Sequence, residues 1–242
     1  MENEQIKQTE IIVVLDRSGS MASIAKSTVE GFNTFLNEQK NAEGEAFMTL
    51  IQFDDRYEMN YQSMPIKDVP ELIERETFIP RGSTALYDAI GKTINDLKTD
   101  RDVVFVIITD GYENASREFK GEAIKKMIET LENENKWKFL YLGANQDAVM
   151  AGAALGVKAT NSMSWAASAD GVGNTFMAMS YNIGTYRKTK SKYAEYVAEN
   201  KDKSIAYADY LAENSAQLGF DELQRSRSMG EKTEDNDKKE NK

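Results

Sequence analysis

Ile11-Ile12-Val13-Val14-Leu15-Asp16-Arg17-Ser18-Gly19-Ser20 is the stretch whose reading decides the fold. Five consecutive apolar residues without alternation describe a strand covered on both faces, as in a parallel sheet flanked by helices. The run stops at an aspartate and turns through small polar residues. Val103 to Thr109 repeats the arrangement and stops at Asp110-Gly111.

Helical periods alternate with strands on either side of these two runs. Ile24, Thr28, Phe32, Phe35 and Leu36 share one helix face, and Gly44 then breaks the chain before a strand over Ala46 to Phe53. Asp54-Asp55-Arg56 forms a tight turn into Tyr57 to Tyr61, which makes a hairpin with an antiparallel edge strand. The three prolines, Pro65, Pro70 and Pro80, mark a connection that is mostly loop, with a short helix near Val69 to Arg75. The next helix begins at Ser83 or Thr84 and turns Leu86, Ala89, Ile90, Thr93, Ile94 and Leu97 inward. Further elements are a helix over Phe119 to Leu131, a strand over Lys138 to Leu142, a helix near Gln146 to Ala154 and an edge strand at Val157-Lys158-Ala159.

The expected fold is α/β: a doubly wound, Rossmann-like, mostly parallel sheet with one antiparallel edge strand and helices on both faces. In such a sheet Asp16 and Asp110 lie at the carboxyl edge of the two central strands, where open α/β sheets bind ligands. A long amphipathic helix is expected through Val172, Phe176, Met179, Ile183, Tyr186 and Tyr193, weakened locally by Gly171, Gly173 and Gly184. Residues 1–190 form the α/β domain and residues 191–224 a helical extension, with one helix over 204–218. From Arg225 to Lys242 almost nothing is apolar, and disorder is expected.

Composition narrows the chemistry. The 242 residues carry 30 Lys+Arg against 40 Asp+Glu, a formal net charge of -10. Nucleic-acid binding, which draws on clustered cations, is therefore not expected. With no Cys and no His, thiolate nucleophiles, disulfides, imidazole bases and the usual zinc ligands are all excluded. Any metal must be held by oxygen, which favours Mg²⁺, Mn²⁺ or Ca²⁺. The N-terminus, Met1-Glu2-Asn3-Glu4-Gln5, lacks the cationic and apolar regions of a signal peptide. The longest apolar run is too short to span a bilayer, so a soluble, cytoplasmic protein is expected.

Asp16-Arg17-Ser18-Gly19-Ser20 has the form D-x-S-x-S. By itself this is the ordinary composition of a turn and a helix cap, with Ser20 as the capping residue. Its company changes the reading. Arg81-Gly82-Ser83-Thr84-Ala85-Leu86 places a threonine at the start of the next major helix, and Thr109-Asp110-Gly111 closes the second central strand. In these three segments, over roughly residues 8–185, the chain resembles the von Willebrand factor A family and its metal-ion-dependent adhesion site. That family has D-x-S-x-S in a first loop, a Thr in a second and an Asp in a T-D-G third.

The resemblance implies a metal site of Asp16, Ser18, Ser20, Thr84 and Asp110. Ser18 and Ser20 ligate Mg²⁺ or Mn²⁺ directly, Thr84 directly or through water, and Asp16 and Asp110 largely through bridging waters. It also implies a binding module for a protein or peptide partner, whose exposed Asp or Glu completes the metal's octahedron.

The chain departs from the family at Arg81 and Ser83, where glycines are commoner. Arg81 is expected to face solvent, the alternative being a place beside the metal. Glu113 and Asn114 are expected to cap the helix that follows, or else to tune the loop. Asp88 is either an ordinary helix-surface carboxylate or a support for the site. Asp54 and Asp55 read as turn residues, and Ser162, Ser164 and Trp165 as packing and capping. Met177, Met179, Tyr181, Tyr186 and Tyr193 read as a helix docked on the sheet.

The competing class is a Mg²⁺-dependent phosphohydrolase with Asp16 as nucleophile. Against it, Ser18 stands where that pattern wants a second Asp, and neither G-x-x-x-x-G-K-S/T nor G-x-G-x-x-G occurs. No enzymatic activity is expected.

Overall fold

The computed structural model describes residues 8–134, 137–144, 146–199, 209–210 and 219–231. Six strands build one sheet: β1 (Thr9–Asp16), β2 (Ala46–Phe53), β3 (Tyr57–Pro65), β4 (Asp102–Thr109), β5 (Lys138–Ala144) and β6 (Ser162–Trp165). Their spatial order is β3-β2-β1-β4-β5-β6, with β2 and β3 antiparallel and the other pairs parallel. The chain therefore reverses direction across the sheet between β1 and β4. Their carboxyl ends flank the crevice at that switch point.

Two apolar cores follow from the period-2 geometry of the central strands. Ile11, Val13 and Leu15 on β1, with Val104, Val106 and Ile108 on β4, pack against α1 (Ala25–Asn41) and α5 (Ala169–Glu199). Ile12 and Val14, with Val103, Phe105 and Ile107, pack on the other face against α2 (Leu86–Asp96) and α3 (Gly121–Glu134). α4 (Ala148–Ala154) also joins this second layer, through Ala148. The helix faces expected from periodicity are the buried ones. α5 runs through all three of its glycines, because Val172, Phe176, Met179, Ile183 and Tyr186 hold it along the sheet.

Several sequence expectations are corrected. No helix forms over Val69 to Arg75; a single 3₁₀ turn, Ile66–Asp68, precedes an extended loop. Val69, Leu72 and Phe78 dip into the core there. The Asn33 side chain on α1 meanwhile bonds both the N–H and the carbonyl of Leu72, replacing helical hydrogen bonds. The edge strand is Ser162–Trp165 rather than Val157-Lys158-Ala159. Gly156, at φ 86°, ends α4, and the Val157 N–H bonds the Gly152 carbonyl, so Val157 completes a helix terminus.

Disorder does not begin at Arg225. A final short helix, α6 (Glu222–Ser228), starts at an Asp221/Gln224 capping box. It lies along the outer edge of β6. Arg225 donates to the carbonyls of Ala159, Thr160 and Ser162, and the Ser228 hydroxyl donates to that of Ser164. Covering an edge strand in this way removes a template for unwanted strand pairing. α5 crosses residue 191 without a break. The helix expected over 204–218 lies outside the described residues apart from Asp209 and Tyr210, as do residues 232–242 of the expected disordered tail.

Candidate metal centre

β1 ends at Asp16, whose carboxylate is wholly buried. One oxygen accepts the Ser18 N–H at 2.6 Å and the other accepts the Thr109 hydroxyl at 2.6 Å, so the ends of β1 and β4 are joined through one side chain. The Ser18 and Ser20 hydroxyls lie 3.1 Å apart, and the Ser20 hydroxyl donates to Asp110 at 2.6 Å. A side chain at Gly111 would meet the Thr84 hydroxyl at 3.3 Å and that of Ser20 at 3.8 Å. The structure thus brings Asp16, Ser18, Ser20, Thr84 and Asp110 to one place, with Gly111 leaving the space between the hydroxyls open.

Backbone bonds hold the three loops in register. Gly19 N–H bonds the Gly82 carbonyl at 3.1 Å, Arg81 N–H that of Arg17 at 2.8 Å, and Ala85 N–H that of Asp54 at 2.9 Å. Thr84 sits two residues ahead of α2, so it belongs to the loop and not to the helix. Asn114 accepts the Thr84 N–H, while the N–H groups of Asn114 and Ala115 bond the Thr84 carbonyl. Glu113 accepts the N–H groups of Tyr87, Ala115 and Ser116. Glu113 and Asn114 therefore cap and brace the element before them in sequence, not the helix after.

Asp88 is buried and accepts the N–H groups of Arg117, Glu118 and Phe119, which fixes the descent of this loop. Burial pushes its carboxyl up, but the three N–H donors and Lys92 outweigh that and hold it below the usual carboxylate range.

Asp54 is no mere turn residue. It is fully buried and receives Arg17 at 3.0 Å and Arg81 at 2.8 Å, while Arg17 also reaches Glu58 at 2.6 Å. Arg81, 42% exposed, spans from solvent to this ion cluster. Burial raises the Asp54 carboxyl, yet Arg81, the Arg56 N–H, Asp55 and Arg17 bring it net below its ordinary value. Both arginine side chains are directed to Asp54, and neither neutralises Asp16.

Asp16 is left as a buried carboxylate with a like charge nearby. Burial pushes its pKa to about 6, against the lowering effect of Thr109 and Ser18, and Asp110 pushes in the same direction as burial. Asp110 is itself raised by burial, opposed by the Ser20 hydroxyl. Among the described residues no cluster of three or more acidic side chains is placed to hold an ion by charge alone. The donor set is three hydroxyls and two carboxylates, all hard oxygens, and a divalent cation there would offset the cost of burying Asp16. These residues fit Mg²⁺ or Mn²⁺. Sequence reading missed Thr109, although it lies inside the T-D-G segment. It also missed the pairings of Asp54, Glu113 and Asn114, which cross 26 to 37 residues.

No protein-family model matches the chain, and no curated protein sequence matches it. Its fold does match solved structures. Proximal thread matrix protein 1 from the mussel byssus is 14% identical at a TM-score of 0.54, over 72% of this chain and 45% of that one. A second structure of the mussel protein, at a TM-score of 0.52, is described as having a zinc-occupied MIDAS motif. A von Willebrand factor type A protein from Catenulispora acidiphila is 14% identical at a TM-score of 0.50, over 76% and 43% of the two chains. The ArnB paralog VWA2 from Sulfolobus acidocaldarius is 16% identical at 0.52, over 72% and 45%. The chain has the von Willebrand factor A fold, and it spans less than half the length of each of these proteins.

Proposed function

We propose that Asp16, Ser18, Ser20, Thr84 and Asp110 hold Mg²⁺ or Mn²⁺, and that the chain is a metal-dependent adaptor for a protein or peptide with an exposed Asp or Glu. The observation that carries this is the convergence of five oxygen-bearing side chains from three loops onto the open space above Gly111. A bound cation supplies an electrophilic position at which a carboxylate oxygen can complete the coordination shell. The residues do the rest: Thr109 and the Ser18 N–H orient Asp16, Asn114 fixes Thr84, and the Asp54 cluster ties the first loop to the second. The zinc-occupied motif of the mussel protein supports the same reading at the level of the fold.

A role without catalysis is the reading we favour. Both oxygens of Asp16 are engaged in positioning, which argues against a nucleophile, and no His or Cys is present to move protons. Among the described residues no helix is long and apolar enough to cross a membrane. The test is affinity capture from the native host with Mg²⁺ and with EDTA, using wild type and Asp16→Ala. Partner recovery is expected with Mg²⁺ and wild type only; equal recovery in all four conditions sinks the proposal.

A further inference from the structure

Beside the metal centre lies a small cup of 210 Å³ between the Asp110 loop, α2 and α4. Leu86, Tyr87, Tyr112, Tyr141, Met150 and Leu155 form its apolar wall. It is continuous with the centre through the chain itself: Tyr112 lies two residues after Asp110, and Leu86 two after Thr84. The Tyr87 N–H bond to Glu113 ties its two lips together. Tyr112 and Met150 are 63% and 67% exposed, so two large apolar groups stand in solvent at the mouth. Glu113, Gln146 and Asp147 add polar groups to the lining, and the Gln146 amide is buried against the Tyr141 hydroxyl.

The geometry points to this cup as a second specificity site, which takes one large apolar or aromatic side chain of the partner a short, fixed offset from the acidic residue held at the metal. This rests on the metal-capture reading and deepens it. Size selects the occupant, because small-molecule sites run from about 300 to 1,000 Å³ and this cup is smaller. Lining selects it too. Tyrosine faces and a methionine thioether suit an aromatic or branched aliphatic group, and such rigid aromatic walls lose little entropy on binding.

The test is selection from a displayed random peptide library on the full chain, with Mg²⁺ and with EDTA. The variants are wild type, Tyr112→Ser, Met150→Lys and Ser20→Ala, with Val149→Ser as control; Val149 is an exposed apolar neighbour on α4 that does not line the cup. Wild type should enrich an Asp or Glu and, at one constant offset, Phe, Tyr, Trp, Leu or Met. Val149→Ser should do the same. Tyr112→Ser and Met150→Lys should lose the apolar position, with binding of the selected peptides weakened about tenfold or more.

Enrichment of the acid alone overturns the cup and leaves metal capture standing. Apolar enrichment that is indifferent to EDTA and Ser20→Ala, yet lost in Tyr112→Ser, supports the cup and overturns metal capture. No enrichment of either kind overturns both.

Discussion

The two ends of β1 each carry a buried carboxylate, and they are finished differently. Glu10, near the amino end, accepts the hydroxyls of Thr49 and Ser63 and pairs with Arg101 at 3.1 Å, whose guanidinium also lies over the Phe47 ring at 3.7 Å. Asp16, at the carboxyl end, has a hydroxyl and a backbone N–H, and the charge acting on it is the like charge of Asp110. Burial raises both carboxyls above their ordinary values. One end is a completed polar network that a folded chain needs for itself. The other has ordered oxygens and, among the described residues, no basic side chain paired with it, the arrangement on which the proposed cation site rests.

The largest effect that separates these ends is expected from Glu10→Ala. It strands Arg101 and two hydroxyls in a part-buried setting and should cost about 3 kcal/mol in urea unfolding. Mn²⁺ binding, followed by electron paramagnetic resonance, should be unchanged. Asp16→Ala should do the reverse. Mn²⁺ affinity should fall about 10- to 100-fold, as when groups that orient metal ligands are removed, and the unfolding midpoint in EDTA should move less than in Glu10→Ala. If Asp16→Ala binds Mn²⁺ like wild type, the contrast between the two ends is wrong.

Asp88→Asn probes the scaffold of the site rather than its donors, and should cost about 1–2 kcal/mol near neutral pH. The sign with pH follows from its depressed pKa in the fold. The stabilisation is full above the unfolded value near ~4 and is lost as pH falls through the lower folded value. Wild type should therefore lose stability more steeply than Asp88→Asn below about pH 4. Parallel acid limbs in the two urea series would remove Asp88 from this role. The smallest effect belongs to Arg81→Ala. Its ion pair with Asp54 is half in water and Arg17 still serves Asp54, so the cost should stay under about 1 kcal/mol. A larger loss would show that Arg81 holds the Thr84 loop in place.

The three segments that carry Asp16, Ser18, Ser20, Thr84 and Asp110 were legible in the sequence because their placement at strand and helix ends follows from local patterns, while their grouping was expected from the family resemblance. A β-branched run that ends in Asp, a small polar turn, and a Thr just ahead of an amphipathic period each carry their signal within a few residues. The supports were not legible. Glu113, Asn114 and Asp88 act on backbone N–H groups across separations of 26 to 31 residues, and such bonds leave no periodicity behind. The same holds for Asp54, which in sequence is one of two aspartates in a turn and in space is the shared anchor of two arginines.

By itself the sequence determined the doubly wound sheet, the central pair of strands and the absence of His and Cys from any site. Apolar periodicity and composition are properties of the chain alone. Tertiary structure decided the edge. The four-residue β6 alternates Ser with Met and Trp and has too little apolar signal to stand out, while α6 is ordered by Arg225 and Ser228 on that strand's carbonyls. It also decided that Arg17 and Arg81 face Asp54 and that no ion pair among the described residues reaches Asp16, because a charge's partner is settled by packing and not by its place in the chain.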